Sequence, residues 1–70
     1  MYKYRIEFNL KEIRLKKNLT QKQLARYSNL SQSHISDLEN NVKSPTLVTV
    51  CKLANALQIN PLNLIRIVRK

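Results

Sequence analysis

None of the 70 residues is glycine, and that absence constrains the fold more than any residue that is present. A chain without glycine has no cost-free residue for the left-handed conformation on which sharp post-helix turns depend. Asparagine tolerates that conformation best among the others. The two prolines, Pro45 and Pro61, stand far apart. Element boundaries must therefore be read from capping residues, and these are legible along most of the chain.

Asn9 is a suitable N-cap, with Glu12 at the capping-box position, and Phe8 and Ile13 have the spacing of a hydrophobic staple. A first helix is predicted from about Leu10 to Lys17, with Leu10, Ile13 and Arg14 on its inner face. Thr20 caps a second, with Gln23 at the box position and Leu19 and Leu24 as the staple. Its inward residues are Leu24 and Ala25, the latter small enough for a close helix approach, and it fades at Ser28-Asn29. Ser31 caps a third, with Leu30 and Ile35 at staple spacing and Ile35 and Leu38 facing inward. Thr46, directly after Pro45, caps a fourth, whose inward stripe reads Leu47, Val50, Cys51, Ala54 and Leu57. Asn60 caps a fifth, with Pro61 at the first helical position and Ile59 and Leu64 as the staple. The expectation is an all-α domain of five helices, filling residues 1–70 as one unit.

Residues 1–8 break this pattern. Tyr2, Tyr4, Ile6 and Phe8 alternate with Lys3, Arg5 and Glu7, which reads as a short strand with one apolar face. The β-branched segment Ile65-Arg66-Ile67-Val68-Arg69 is its candidate partner, either within the chain or across a dimer.

Thirteen Lys and Arg stand against four Asp and Glu, for a formal charge of +9. Such an imbalance attracts polyanions, nucleic acid first and an anionic membrane surface second. The charge is not segregated onto one long amphipathic helix, which counts against the membrane. No apolar run approaches the roughly 20 residues of a membrane span, and the start resembles no signal peptide; the expected location is cytoplasmic. Cys51 has no partner for a disulfide and no cluster with which to hold a metal, and its place in an apolar stripe makes it a small core residue. A single histidine, no glycine-rich phosphate loop and no nucleophile–base–acid set exclude an enzyme. No cofactor, metal or small-molecule ligand is expected.

The informative stretch is 20–40. Two short helices are joined by a turn of three to four residues, and the second presents Gln32, Ser33, Ser36, Asp37 and Asn40 outward. That is the helix-turn-helix arrangement, which lays its second helix in the major groove of double-stranded DNA. Polar side chains can read sequence there because each base pair shows a distinct pattern of donors and acceptors.

The ordered set Leu19-Thr20-Gln21-Lys22-Gln23-Leu24-Ala25, Ser31-Gln32-Ser33-His34-Ile35-Ser36 and Leu38-Glu39-Asn40 resembles the phage Cro and repressor type of helix-turn-helix, the XRE family. Ser44-Pro45-Thr46-Leu47 and Leu53-Ala54-Asn55-Ala56-Leu57 extend the resemblance over about Leu10 to Ile65. It implies a lambda-repressor-like five-helix fold and a transcriptional regulator, most simply a repressor that binds a palindromic operator as a homodimer. It places base contacts at Gln32, Ser33, Ser36 and Asp37. Phosphate contacts fall to Gln21, Asn40, Asn41 and Lys43, with His34 as a further candidate. Arg14 and Glu39 match a structural salt bridge between the first and third helices. Asn29 and Asn41 stand where the family has glycine, and both tolerate positive φ. Ser28 replaces an apolar residue, with some loosening of the turn expected.

Leu62, Ile67 and Val68 exceed what a five-helix core requires and are the expected dimer interface. No sensing domain is seen after the DNA-binding unit, so control is expected through concentration, a partner or dimerisation. The alternative is an antitoxin or other protein-interaction module on the same fold, which would show apolar surface without symmetric self-association.

Overall fold

A computed structural model describes residues 3–69; Tyr2 and Lys70, which the sequence places in the N-terminal strand and the basic tail, lie outside them. The order is β1 (Tyr4–Phe8), α1 (Leu10–Lys16), α2 (Gln21–Ser28), α3 (Gln32–Glu39), α4 (Leu47–Leu57), a 3-10 turn (Pro61–Leu64) and β2 (Ile65–Arg69). Leu10, Leu24, Ile35, Leu38, Leu53 and Leu64 are fully buried and form the centre of the core, one or two from each helix and one from the 3-10 turn. Phe8, Ile13, Leu19, Leu30 and Ile59 pack against it half-buried.

The expected fifth helix is a correction. Asn60 does cap, its Oδ1 accepting from the Leu62 N–H at 2.9 Å, and Pro61 sits at the first position. Only one turn follows, because Ile65, Ile67 and Val68 are β-branched and gain more from pleated pairing than from a helix. β2 pairs antiparallel with β1 inside the chain, Tyr4 opposite Arg69, Ile6 opposite Ile67 and Phe8 opposite Ile65. The Asn9 N–H extends the pairing to the Leu64 carbonyl at 2.8 Å. The described chain is thus four α-helices, a 3-10 turn and a two-stranded sheet.

The sheet also overturns the first cap. Asn9 makes no side-chain cap bond; its Oδ1 accepts from Arg66 at 2.9 Å, and Glu12 pairs with Lys16 one turn on at 3.5 Å. The other caps form: Thr20 and Gln23 complete a capping box, and the hydroxyls of Ser31 and Thr46 accept from the His34 and Thr49 N–H groups.

Two further expectations fail on α4. Leu47 and Cys51 lie on its exposed side, while Thr49, Val50, Leu53, Ala54 and Leu57 are buried. The true stripe is rotated by roughly 65° from the expected one, toward Leu53. Ser28 takes the position expected to loosen the turn with its polar group satisfied. It is buried, and its hydroxyl donates to the Leu24 carbonyl at 2.7 Å.

The missing glycines are replaced by Asn18, Asn29, Asn41 and Gln58, all at φ between 57° and 59°. Three are asparagines, the type that bears this conformation most easily. Gln58 ends α4, its N–H donating to the Ala54 and Asn55 carbonyls, and has no such excuse: its Cβ crowds the following carbonyl. Gln58→Gly is therefore expected to raise stability by about 0.5–1 kcal/mol, the relief of strain exceeding the added freedom of the unfolded chain. Chemical denaturation checks it; an unchanged midpoint would count against strain at this position.

Candidate nucleic-acid interface

α2 and α3 are set by their joint. α2 ends at Asn29 in the left-handed conformation, φ 59° and ψ 36°, and the Leu30 N–H closes back on the Ala25 carbonyl at 3.1 Å. Ser31 then caps α3, so only three residues separate the helices. Leu24 and Ala25 of α2 join Ile35 and Leu38 of α3 in the buried cluster. That apolar seam fixes how far α3 stands out from the domain.

Ile35 and Leu38 take up the inner side of α3. At about 100° per residue, Gln32, Ser36, Asn40, Ser33 and Asp37 fall in that order around an arc of roughly 140° on the opposite side. Gln32, Ser33 and Asn40 are exposed and Ser36 and Asp37 half-buried. Asn40 donates to the Ser36 hydroxyl at 3.4 Å. His34, half-buried, lies beyond the arc toward the core side. The five polar residues singled out from the sequence thus share one helix face.

A connection not visible in the sequence lies just past α3. The Lys43 ammonium sits 3.6 Å from the Asp37 carboxylate, and the Asp37 carbonyl accepts from the Val42 N–H at 2.9 Å. The exposed loop Asn41-Val42-Lys43 is folded back against α3, with Asn41 at positive φ. The single negative charge on the polar face is therefore partly offset before any phosphate approaches. Residues six apart across a helix end carry no periodic signal, so pattern reading had no means of pairing them.

Behind this face lies a buried polar junction. Arg14 of α1 grips Glu39 of α3 with two bonds, Nε to Oε2 at 2.6 Å and Nη2 to Oε1 at 3.1 Å. Their side chains are 8% and 2% exposed. Arg14 Nη1 also donates to the Leu19 carbonyl at 2.8 Å. Gln21, the first residue of α2, donates its amide to Glu39 Oε1 at 2.9 Å. Gln21 thus stands against the junction, with its carbonyl oxygen and second amide hydrogen free of bonds to other described side chains. Every buried side-chain nitrogen and oxygen among the described residues has a partner.

The match to known proteins decides the family. A family model described as helix-turn-helix covers residues 10–64. The chain belongs to the helix-turn-helix family. Within it, this helix-turn-helix protein is 35% identical over 57 residues to an HTH-type transcriptional regulator of Sinorhizobium fredii, y4dJ, covering 81% of this chain and 74% of that one. It is 44% identical over 50 residues to the immunity repressor protein of Bacillus phage phi105, covering 71% of this chain but only 35% of the phage protein. Among solved structures it resembles the restriction-modification controller protein C.AhdI of Aeromonas hydrophila, with a TM-score of 0.78 at 39% identity over 80% of this chain and 85% of that one. The wild-type controller C.Esp1396I gives 0.70 at 35% identity, over 73% of this chain and 66% of that one. The helix-turn-helix protein is thus a DNA-binding transcriptional regulator of the Cro and repressor type. Among its described residues no group of His, Cys, Asp or Glu could hold a metal, and no helix is long and apolar enough to cross a membrane.

Of the residues expected at a dimer interface, Leu62 and Ile67 are exposed. Val68 pairs with Arg5 and so projects from the other side of the sheet than Ile67.

Proposed function

We propose that the protein represses transcription by binding a two-fold symmetric operator as a homodimer, one α3 in each of two successive major grooves. The observation that carries this is the polar arc Gln32, Ser36, Asn40, Ser33 and Asp37 on the side of α3 opposite buried Ile35 and Leu38. Gln32 and Ser33, at the N-terminal end of α3, take the position from which such helices meet base edges. A glutamine there can bond adenine N6 and N7 together. Ser36 and Asp37 read further along the same face, Asp37 by accepting from cytosine N4. Gln21, Asn40, Asn41 and Lys43 bond the phosphates to either side, and His34, turned toward the core side of the arc, is the weakest contributor. A dimer spaces its half-sites by about one turn, roughly 34 Å. The likeness to a phage immunity repressor and to restriction-modification controllers supports regulation by occupancy of a promoter.

The test is recovery of bound fragments from sheared genomic DNA of the source at near-physiological salt. Enrichment of one inverted repeat is expected. Retention with no sequence enriched would leave only charge-driven binding, and a protein-interaction module would become the better reading.

A further inference from the structure

Glu39 holds more than its ion-pair partner. Arg14 occupies both of its oxygens, Nε on Oε2 at 2.6 Å and Nη2 on Oε1 at 3.1 Å. Gln21 Nε2 donates to Oε1 as well, at 2.9 Å. The carboxylate is buried with the salt bridge, whereas Gln21 is half-buried and reaches it from the first position of α2. Joining α1 to α3 needs only the guanidinium. The bond from Gln21 brings a third element to the same oxygen.

We propose that Glu39 is a positioning residue for DNA: it fixes the Gln21 amide so that nitrogen, and not oxygen, meets a backbone phosphate. The assignment rests on the reading above that Gln21 bonds a phosphate, and it names what orients that contact. Donor polarity comes first. A carboxylate can only accept, and a primary amide carries both hydrogens on its nitrogen and none on its oxygen. Gln21 can therefore meet Glu39 only through Nε2. A phosphate oxygen has the same requirement. One hydrogen of Nε2 is committed to Glu39 and the other is free of the described side chains, so a single nitrogen can bridge carboxylate and phosphate. An amide without this anchor turns end for end and sets oxygen against oxygen part of the time.

Charge agrees with polarity. A bare carboxylate beside the DNA backbone would repel it, but Arg14 offsets the charge of Glu39 with two bonds. The junction thus orients the amide without adding net charge. Entropy acts in the same direction, since glutamine is a rotamer-rich side chain whose ordering is a cost of binding. Here that ordering is completed on folding. The backbone around Gln21 is tied to the same pair: Arg14 Nη1 holds the Leu19 carbonyl at 2.8 Å, and the Leu19 N–H returns to the Arg14 carbonyl at 3.1 Å. Phosphate contacts set the orientation in which bases are read. Because Glu39 is the last residue of α3, the phosphate contact of α2 is held in one register with the reading face of α3.

A cycle of four proteins on a mixed-sequence duplex, at one near-physiological salt concentration, tests the assignment. They are the parent, Gln21→Ala, the apolar pair Arg14→Met with Glu39→Leu, and all three substitutions together. In the parent background Gln21→Ala should weaken binding about tenfold per bound copy, the low end for a hydrogen bond to a charged group. In the apolar background the same substitution should cost about threefold or less, because an amide that must first be immobilised returns that much less. Comparison within each background removes any general effect of the apolar pair on the fold. Equal losses in both would overturn the positioning role and leave the phosphate contact standing. No loss in the parent background would remove the phosphate contact of Gln21 and the positioning role together. Proton exchange of the parent, followed by NMR, needs no variant to fold. One side-chain amide proton of Gln21 should exchange with solvent about fivefold or more slowly than those of exposed Gln32, the worth of a typical net hydrogen bond. Equal exchange at the two glutamines would overturn the assignment by itself.

Discussion

Arg14→Ala is expected to unfold the protein at ambient temperature or to lower its melting temperature by more than about 12 °C. Removing one member of a buried ion pair costs about 3–5 kcal/mol, because the remaining charge is left in the interior without a partner. For a 60–100-residue domain each kcal/mol is worth about 4–8 °C, and a chain of this length holds only about 4–10 kcal/mol in all. Here the loss is compounded. Arg14 donates to Glu39 twice and to the Leu19 carbonyl once, so its removal strips α1 from α3 and frees the segment leading into α2. Gln21 alone would remain on Glu39. Replacing both partners with apolar residues, Arg14→Met with Glu39→Leu, should recover much of the stability, since no buried charge is stranded. Thermal and urea denaturation followed by circular dichroism make the comparison. If Arg14→Ala melts with the parent protein and only binds DNA poorly, the junction is not structural and this account of it is wrong.

The second large effect is expected at Gln32. A bidentate glutamine–adenine pair is worth about 1–3 kcal/mol of discrimination against the wrong base, or about 5- to 150-fold per half-site. An inverted repeat bound by a dimer feels the substitution twice. Gln32→Ala should therefore abolish most of the preference for the selected operator over a scrambled duplex. Its fold should be untouched, because the side chain is exposed and makes no hydrogen bond among the described residues. Lys43→Ala is the contrast. It should weaken binding to both duplexes about equally and reduce the slope of log K against log salt by about one phosphate's worth. Titrations of both variants on both duplexes, at several salt concentrations, separate the two. A Gln32→Ala protein that still prefers the operator as strongly as its parent would move base reading elsewhere on α3.

Much of this architecture is legible in the residues because local and tertiary preferences agree. Thr20 with Gln23, and Ser31, cap where they stand because an N-cap hydroxyl has the N–H groups of its own helix within reach, whatever surrounds it. Asn9 has the same chemistry and fails, since a guanidinium from the far end of the chain competes for its oxygen. Leu47 and Cys51 were misplaced for a related reason. Periodicity gives the spacing of an apolar stripe but not where its centre lies, and an α4 with apolar residues over more than half its circumference fits two rotations equally well. The fifth helix failed where Asn60 and Pro61 signalled a start but Ile65, Ile67 and Val68 had a strand to pair with. The polar face of α3 was readable because two buried residues, Ile35 and Leu38, settle the opposite side. The bond from Gln21 to Glu39 and the pairing of Lys43 with Asp37 were not, because each depends on how one element turns against another.

The pairing of β1 with β2 has a consequence for how the protein is made. Tyr4 meets Arg69, and Phe8 meets Ile65, so the earlier strand waits for one about sixty residues later. Contacts so distant along the chain form slowly, whereas the capped helices between them draw on neighbours a few residues away. On the ribosome, the helix-turn-helix can therefore take shape while Tyr4, Ile6 and Phe8 are still uncovered. Lys3 and Arg5, interleaved with them, are the kind of charge that disfavours pairing of an unpartnered strand with another chain. The order of synthesis thus assembles the DNA-reading half of the molecule before the two-stranded sheet can close.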